Sequence, residues 1–410
     1  MNKKILAVAI AVSLLAVLLL FTSCGGNPSC VHDVVNGECD LCGQEASKGL
    51  EFEYNSANDN YSVVGIGSCK DDVVIVPDKH RGKPVVLIKG FSDADIRKIY
   101  LPETLSKVEG SCFKENTSIE EVYTRNTVEI EIRAFKGCTS LKKVNLDVQQ
   151  IYSNAFEGCT ALESVKLSNR IERIAQEAFL DCAAIAEFDL EKLDKGEALR
   201  IDQDAFKNSG IYESESLWTD GALYIGTVLV SVDKSLEVLT LREDTTSFAL
   251  DAFAGCSKLH TILVALSDEN KSDWDFSNRV SYADCSLLKR IEFLDGVTSV
   301  PENMFANCVT VSEIILPETL KTIQNAAFKG CTGLTEIKLP ESLITILGNA
   351  FDSTGITYLV LPENVELVSY LPNIRLFSNA SVSPNNNYYN EKIYLAGEWS
   401  YVDGVPTLNP

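Results

Sequence analysis

The segment CVHDVVNGECDLCG places four candidate metal ligands, Cys30, His32, Cys39 and Cys42, within 13 residues. Zinc takes four ligands at tetrahedral corners, most often thiolate and imidazole. Cys39 and Cys42 have the Cys-x-x-Cys spacing of a knuckle. Gly43 follows them and lets the turn aim its N–H groups at sulfur. Cys30 and His32 supply the other pair, and Gly37 gives the intervening turn its freedom. The spacing predicts a structural zinc site. The alternative is a disulfide between two of these cysteines, with His32 incidental. No His follows Cys42, which disfavours c-type haem attachment. No βαβ pattern flanks the segment, which disfavours a thioredoxin-like redox site.

Little else has the spacing of a reaction centre. The chain holds three histidines, His32, His80 and His260. His80 falls in the turn-rich PDKHRGKP, and His260 sits beside a repeated Leu. Carboxylates are plentiful but scattered, and there is no phosphate-binding glycine loop or nucleophile elbow. SDENKSD is oxygen-rich, but Asp273 stands where an EF-hand calcium loop needs Gly. The sequence therefore reads as a non-enzyme. An enzyme would need a pocket near residues 211–250.

The elements that would position the Cys/His cluster begin with a leader. Lys3 and Lys4 precede an apolar run from Ile5 to Leu20, and then FTSCGG. A run of this kind fits a signal h-region better than a spanning helix. The segment resembles a bacterial lipoprotein signal peptide with its lipobox, although Phe21 stands where Leu is more usual. That resemblance implies cleavage before Cys24, acylation of Cys24, and attachment to a membrane through the lipid. An ordinary secretory signal with a chance Cys is the alternative. Residues 1–23 are thus read as the leader, and 24–49 as a polar tether carrying the knuckle.

Beyond the tether the chain repeats itself. RAFKGCTSLKKVNL, NAFEGCTALESVKL, DAFAGCSKLHTILV and AAFKGCTGLTEIKLP share Ala-Phe, then Cys, then Leu, a β-branched residue and a further aliphatic residue. The ring positions are Phe113, Phe135, Phe156, Phe179, Phe206, Phe253, Tyr282, Phe305, Phe328 and Phe351. Most gaps are 21 to 23 residues. A fixed period of this size predicts a solenoid, in which each turn stacks on its neighbours. Seven of the thirteen cysteines lie three residues after such a ring. Asn116, Ser209 and Thr354 fill the same slot elsewhere and can join no bridge. The slot therefore asks for a small, semi-polar, buried side chain, and the repeat cysteines are expected to be free thiols rather than a disulfide ladder. So many exported thiols suit a weakly oxidising setting.

The matching text, LPETLKTIQNAAFKGCTGLTEIKLPESLITILGNAF and LPETLSKVEGSCF, resembles the leucine-rich repeats of bacterial BspA-like surface antigens. The resemblance covers about residues 50–365. It implies a right-handed leucine-rich repeat solenoid, with a parallel β-sheet on the concave face and short helical or irregular turns on the convex face. It also implies, broadly, a cell-surface role in adhesion or recognition of proteins on host or neighbouring cells. The family brings no shared catalytic residues. The solenoid is expected over 50–377, interrupted by a hairpin-like insertion at 211–250. Residues 378–410 are expected to form a loop and a closing hairpin.

The 58 Asp and Glu against 36 Lys and Arg give a net charge of -22. Such a field disfavours nucleic acid as a partner. The strand face is the better place for binding. Alternation predicts that one residue per strand points outward: Tyr123, Asn145, Lys166, Asp189, Leu263, Glu292, Ile315, Lys338 and Val360. This row turns apolar toward its C-terminal end. The best candidates for contact with a protein ligand are Leu263, Glu292, Ile315 and Lys338, with Trp274 and Phe276 from the inserted loop SDENKSDWDFSN. A passive surface spacer with no ligand is the rival reading.

Overall fold

The computed structural model describes residues 45–127, 129–193, 198–276, 280–362 and 365. It also describes the strands Val34–Val35, Glu38–Cys39, Leu367–Val368, Arg375–Ser378, Ile393–Leu395, Trp399–Val402 and Val405–Leu408. The chain divides into two compact units, residues 1–192 with 204–213, and residues 193–203 with 214–410. Each is a solenoid of parallel strands.

In the first unit, Val73–Ile75, Lys98–Tyr100, Glu121–Tyr123, Lys143–Leu146, Ser164–Leu167 and Glu187–Leu190 form one parallel sheet in unbroken register. Two-residue strands, Lys107–Val108, Glu129–Ile130, Gln150–Ile151 and Arg173–Ile174, form a second parallel ladder. The antiparallel pair Glu51–Asn55 and Asn60–Gly65 opens that second sheet. In the second unit the long strands are Val238–Thr240, Thr261–Val264, Arg290–Phe293 and Glu313–Ile315. The short ones are Ser299–Val300, Thr322–Ile323, Thr345–Ile346 and Leu367–Val368.

The repeat residues build this turn directly. In Lys143–Leu146, Val144 and Leu146 are fully buried while Lys143 and Asn145 face outward. The Phe rings stack from turn to turn. Phe135, Phe156 and Phe179 lie 5.1 Å apart with planes within 4° of parallel. Phe91 heads this column, 5.3 Å from Phe113. Its turn lacks the Ala-Phe and Cys signature, so the sequence pattern starts one turn too late. The residues two before and two after most of the rings take left-handed backbone conformations, as at Asn154 (φ 59) and Gly158 (φ 72). That is why Gly and Asn recur in AFxGC and NAF, since both enter this region most readily.

The cysteine slot has an equally local cause. Cys138, Cys159 and Cys182 donate their thiols to the carbonyls of Phe113, Phe135 and Phe156, one turn back, at 3.0, 3.2 and 3.1 Å. Asn116 fills the slot by donating to Phe91 and Ala94 carbonyls at 2.9 and 2.7 Å. Burial pushes the Cys159 and Cys308 thiols well above their ordinary pKa, and Cys331 up to about 12.

Between the repeats of the second unit, Ala222–Ile225 and Val228–Val232 pair antiparallel, and Val228 and Leu229 then pair parallel with Ser247 and Phe248. Their side chains are almost all buried. Toward the C-terminus Tyr358–Leu361, Arg375–Ser378 and Ile393–Leu395 continue in parallel pairing, so the ladder extends past 377. Trp399–Val402 and Val405–Leu408 form an antiparallel pair.

Candidate functional site: the outward strand face

The parallel register gathers the outward residues into columns. In the first unit Tyr100, Tyr123, Asn145, Lys166 and Asp189 are successive partners. Tyr123, expected to point outward, is covered. It is 2% exposed, stacks on Tyr100 at 4.7 Å, and donates its hydroxyl to Glu121 at 2.5 Å. Burial and the Glu121 carboxylate push its hydroxyl pKa up. Burial raises the Glu121 carboxyl, but hydrogen bonds from Lys98 and Tyr123 outweigh it and hold the group below its usual range. The Lys98–Glu121 ion pair measures 2.6 Å.

In the second unit Thr240, Leu263, Glu292 and Ile315 are successive register partners. Leu263, Glu292 and Ile315 are each half-buried. The column alternates apolar and charged residues and does not form one apolar patch. Arg290 holds Glu292 at 2.8 Å and reaches Glu313 at 3.4 Å. Lys338 is exposed, and Val360 is 48% exposed.

The column is interrupted at Lys338. Among the described residues, the backbone of Thr335 to Leu339 makes no hydrogen bond to either neighbouring turn. In equivalent positions Leu101 N–H donates to Tyr123 and Leu241 N–H to Leu263, each at 2.9 Å. The opening forms a groove of about 630 Å³ lined by Ile315, Ile337, Lys338, Val360, Glu313 and Glu336, among others. Ile337 is half-buried, whereas its counterparts Val144, Val165 and Ile291 are fully buried. LTEIKLP differs from VSEIILP one turn earlier mainly at the outward position, Lys338 in place of Ile315. Phe293 stands where other turns carry Leu or Val. It sits edge-on to Phe305 and Phe328, whose rings are 6.4 Å apart.

The inserted loop divides its two aromatics. Residues Asp268–Asp273 form a 3-10 helix, with Ser267 accepting from the Glu269 N–H. Phe276 is 3% exposed and packs edge-on against Phe248 at 4.8 Å. It is a core residue, which corrects its expected place on the binding surface: the loop folds it inward because Phe248 offers an apolar face. Trp274 is half-buried beside a small cavity of about 140 Å³ shared with Lys271, Pro301, Glu302 and Gln324. Among the described residues its indole N–H finds no acceptor.

The remaining candidates are structural or lie elsewhere. His80 stacks on Phe52 at 3.8 Å, and burial lowers its pKa. His260 contacts Thr261 at 3.0 Å and Glu237 at 3.7 Å on the surface. Among the described residues no group of three His, Cys, Asp or Glu is placed to hold a metal. Cys24, Cys30, His32 and Cys42 fall outside the described residues. Cys39 lies on a strand whose register sets it opposite Val34 in an antiparallel pair.

A leucine rich cell surface protein of Faecalibacterium prausnitzii A2-165 is similar, at 19% identity over 83% of this chain and 95% of that one, with a TM-score of 0.35. A leucine-rich repeat protein of Bacteroides ovatus matches at 19% identity over 81% and 98%, with a TM-score of 0.30. The pneumococcal vaccine antigen PcpA matches at 16% identity over 86% and 98%, with a TM-score of 0.31. No curated protein matches the chain. The BspA type leucine rich repeat region matches residues 88–213, 194–283 and 275–380. With the repeat's rings, thiols and parallel register all in place over that span, the chain belongs to the BspA-type leucine-rich repeat family.

Proposed function

We propose that this protein is a lipid-anchored bacterial cell-surface recognition or adhesion protein, and not an enzyme. Acylated Cys24 holds it to the membrane, and the strand face binds a protein on a host or neighbouring cell. The carrying observation is the registered column Leu263, Glu292 and Ile315, which repeats outward side chains at the strand spacing of about 4.8 Å. A surface of this form suits a partner that makes many contacts across several turns. Small molecules favour enclosed apolar pockets. Leu263 and Ile315, both partly exposed on this face, are the aliphatic positions a protein partner would cover.

The test is capture of surface proteins by the chain lacking its apolar leader, compared with Leu263→Glu and Ile315→Glu. Both variants should fold by circular dichroism and lose the captured partner. A partner retained at wild-type level by both variants places recognition on another surface.

A further inference from the structure

We propose that Cys256 and Cys285 form a redox-active dithiol, a site at which a small peroxide joins two neighbouring turns of the second unit through a disulfide. The ladder sets the pair in line. Thr261 pairs with Arg290, and each cysteine lies five residues before its member of that pair. The two bends also match, since each cysteine carbonyl accepts from the Leu three residues on, Leu259 at 3.3 Å and Leu288 at 3.0 Å. The cysteines therefore stack one turn apart, at about 4.8 Å. A disulfide asks for Cα atoms roughly 4.4–6.8 Å apart. Other neighbouring repeat cysteines, such as Cys138 and Cys159, meet that condition too. What separates this pair is how its sulfurs are held. Cys138, Cys159, Cys182 and Cys331 donate to carbonyls of the previous turn at 3.0 to 3.2 Å. Cys256 and Cys285 reach the carbonyls of Val232 and Phe253 only at 3.8 Å. Sulfurs tied this weakly turn toward each other at less cost.

The charges around the pair favour the reactive form. The thiolate, not the thiol, is the nucleophile. The Lys234 stem runs past Gly255, where an added Cβ would come within 3.2 Å of its Cε. The Cys285 thiol and then the Lys234 ammonium hold the Cys256 thiol below its ordinary pKa, against the cost of burial. Cys285 is pushed up in turn, by Cys256 first and by burial second. Burial instead raises Cys112, Cys159, Cys308 and Cys331. Cys256 is thus the attacking group and Cys285 the resolving one. The Cys256 thiolate attacks a peroxide oxygen; an S–O bond forms, the O–O bond breaks, and the departing oxygen takes up a proton and leaves as water or alcohol. The Cys285 sulfur then attacks the sulfenic sulfur; the S–S bond forms, the S–O bond breaks, and water leaves with the Cys285 proton. The two thiols give up two electrons and the peroxide takes both. Both cysteines are buried, but each is followed by an exposed serine, Ser257 or Ser286, so the site selects a small oxidant. The joined turns lead into the strands that carry Leu263 and Glu292.

The test treats the anaerobically purified full chain with hydrogen peroxide, quenches with an alkylating reagent at intervals, and maps cross-linked peptides by mass spectrometry. Among the repeat cysteines, the Cys256–Cys285 link should form first, while circular dichroism stays native. Cys285→Ser should leave Cys256 as a sulfenic acid that dimedone traps. Lys234→Gln, at an exposed position, should slow the link severalfold without changing the fold. Absence of the link overturns the proposal. So does formation of Cys138–Cys159 or Cys308–Cys331 links at the same rate, which would report general unfolding rather than a built pair. A rate unchanged by Lys234→Gln also overturns it, because the pair then has no activated member.

Discussion

Replacing Phe156 by Leu tests whether the stacked rings hold the turns together or merely fill space. Phe156 is fully buried and has a parallel ring at 5.1 Å on each side. The substitution removes volume worth about 1 kcal/mol in lost transfer and cavity terms. It also removes two aromatic pairs, together worth about 1–3 kcal/mol beyond area. The sum is about 2–4 kcal/mol. Phe351 is the control. It is equally buried, but its described ring neighbour is Phe328 alone, at 5.7 Å. Phe351→Leu should cost less by about one pair, on the order of 1 kcal/mol. Native-state hydrogen exchange is the assay, because solenoid stability is a sum of turn and neighbour terms and exchange reads the turn itself. The amides from Ala155 to Cys159, and the Phe135 N–H that bonds Ala155 at 2.7 Å, report the Phe156 variant. Equal destabilisation by the two substitutions would refute the stacking argument and leave area burial as the whole effect.

Four further outcomes follow from the same geometry. The thiols of Cys159, Cys308 and Cys331 should react slowly with alkylating reagents in the native state at pH 8 and fully after denaturation, because burial raises their pKa; peptides cross-linked between Cys138 and Cys159 would contradict the free-thiol reading. The depressed Glu121 carboxyl means that the unfolded chain binds more protons in the acid range, so its stabilisation is present above the ordinary carboxylate pKa of about 4.3 and is lost as pH falls through the lower folded value; urea midpoints of Glu121→Gln should show a weaker decline on acidification than wild type. A peptide of residues 24–60 should bind about one zinc per chain, and Cys39→Ser should abolish it; a stable disulfide without metal after anaerobic purification would reject the knuckle. Mass spectrometry of the mature N-terminus should find acylated Cys24, and an intact Met1 would reject the lipid anchor.

The repeat was legible because its demands are local. Phe, the slot cysteine and the inward aliphatics recur at fixed offsets, and each has one geometric role. Asn116 in the cysteine slot reveals what the slot requires, a short donor reaching the previous turn's carbonyls. Phe91 escaped because Ala94, with no donor, occupies its slot. The continuation to Leu395 escaped because its turns are shorter and carry no Ala-Phe or Cys. The surface was legible only in register. Alternation correctly grouped Leu263, Glu292 and Ile315, but it could not say that Tyr100 covers Tyr123 or that Phe248 draws Phe276 inward. Those outcomes depend on contacts between turns that no single repeat contains.

The left-handed positions beside most of the rings show where the constraint on this chain lies. Asn and Gly fit them, yet Arg133, Glu177 and Ala326 adopt the same conformation at φ 59, 57 and 54. An L-residue there costs roughly 1–2 kcal/mol. The conformation persists because it aims N–H and C=O groups along the stack. Phe135 bonds Ala155, and Gly137 bonds Glu157, both at 2.7 Å, and Phe156 bonds Ala178 at 2.8 Å. Turn-to-turn bonding therefore fixes the backbone even where the residue is ill suited to it. The outward column takes no part in that bonding, since only its backbone enters the ladder. Its side chains can run through Asn145, Lys166 and Asp189 in one unit and Leu263, Glu292 and Ile315 in the other without disturbing the core. A scaffold that confines its demands to rings, thiols and left-handed turns leaves its strand face free to be fitted to a partner.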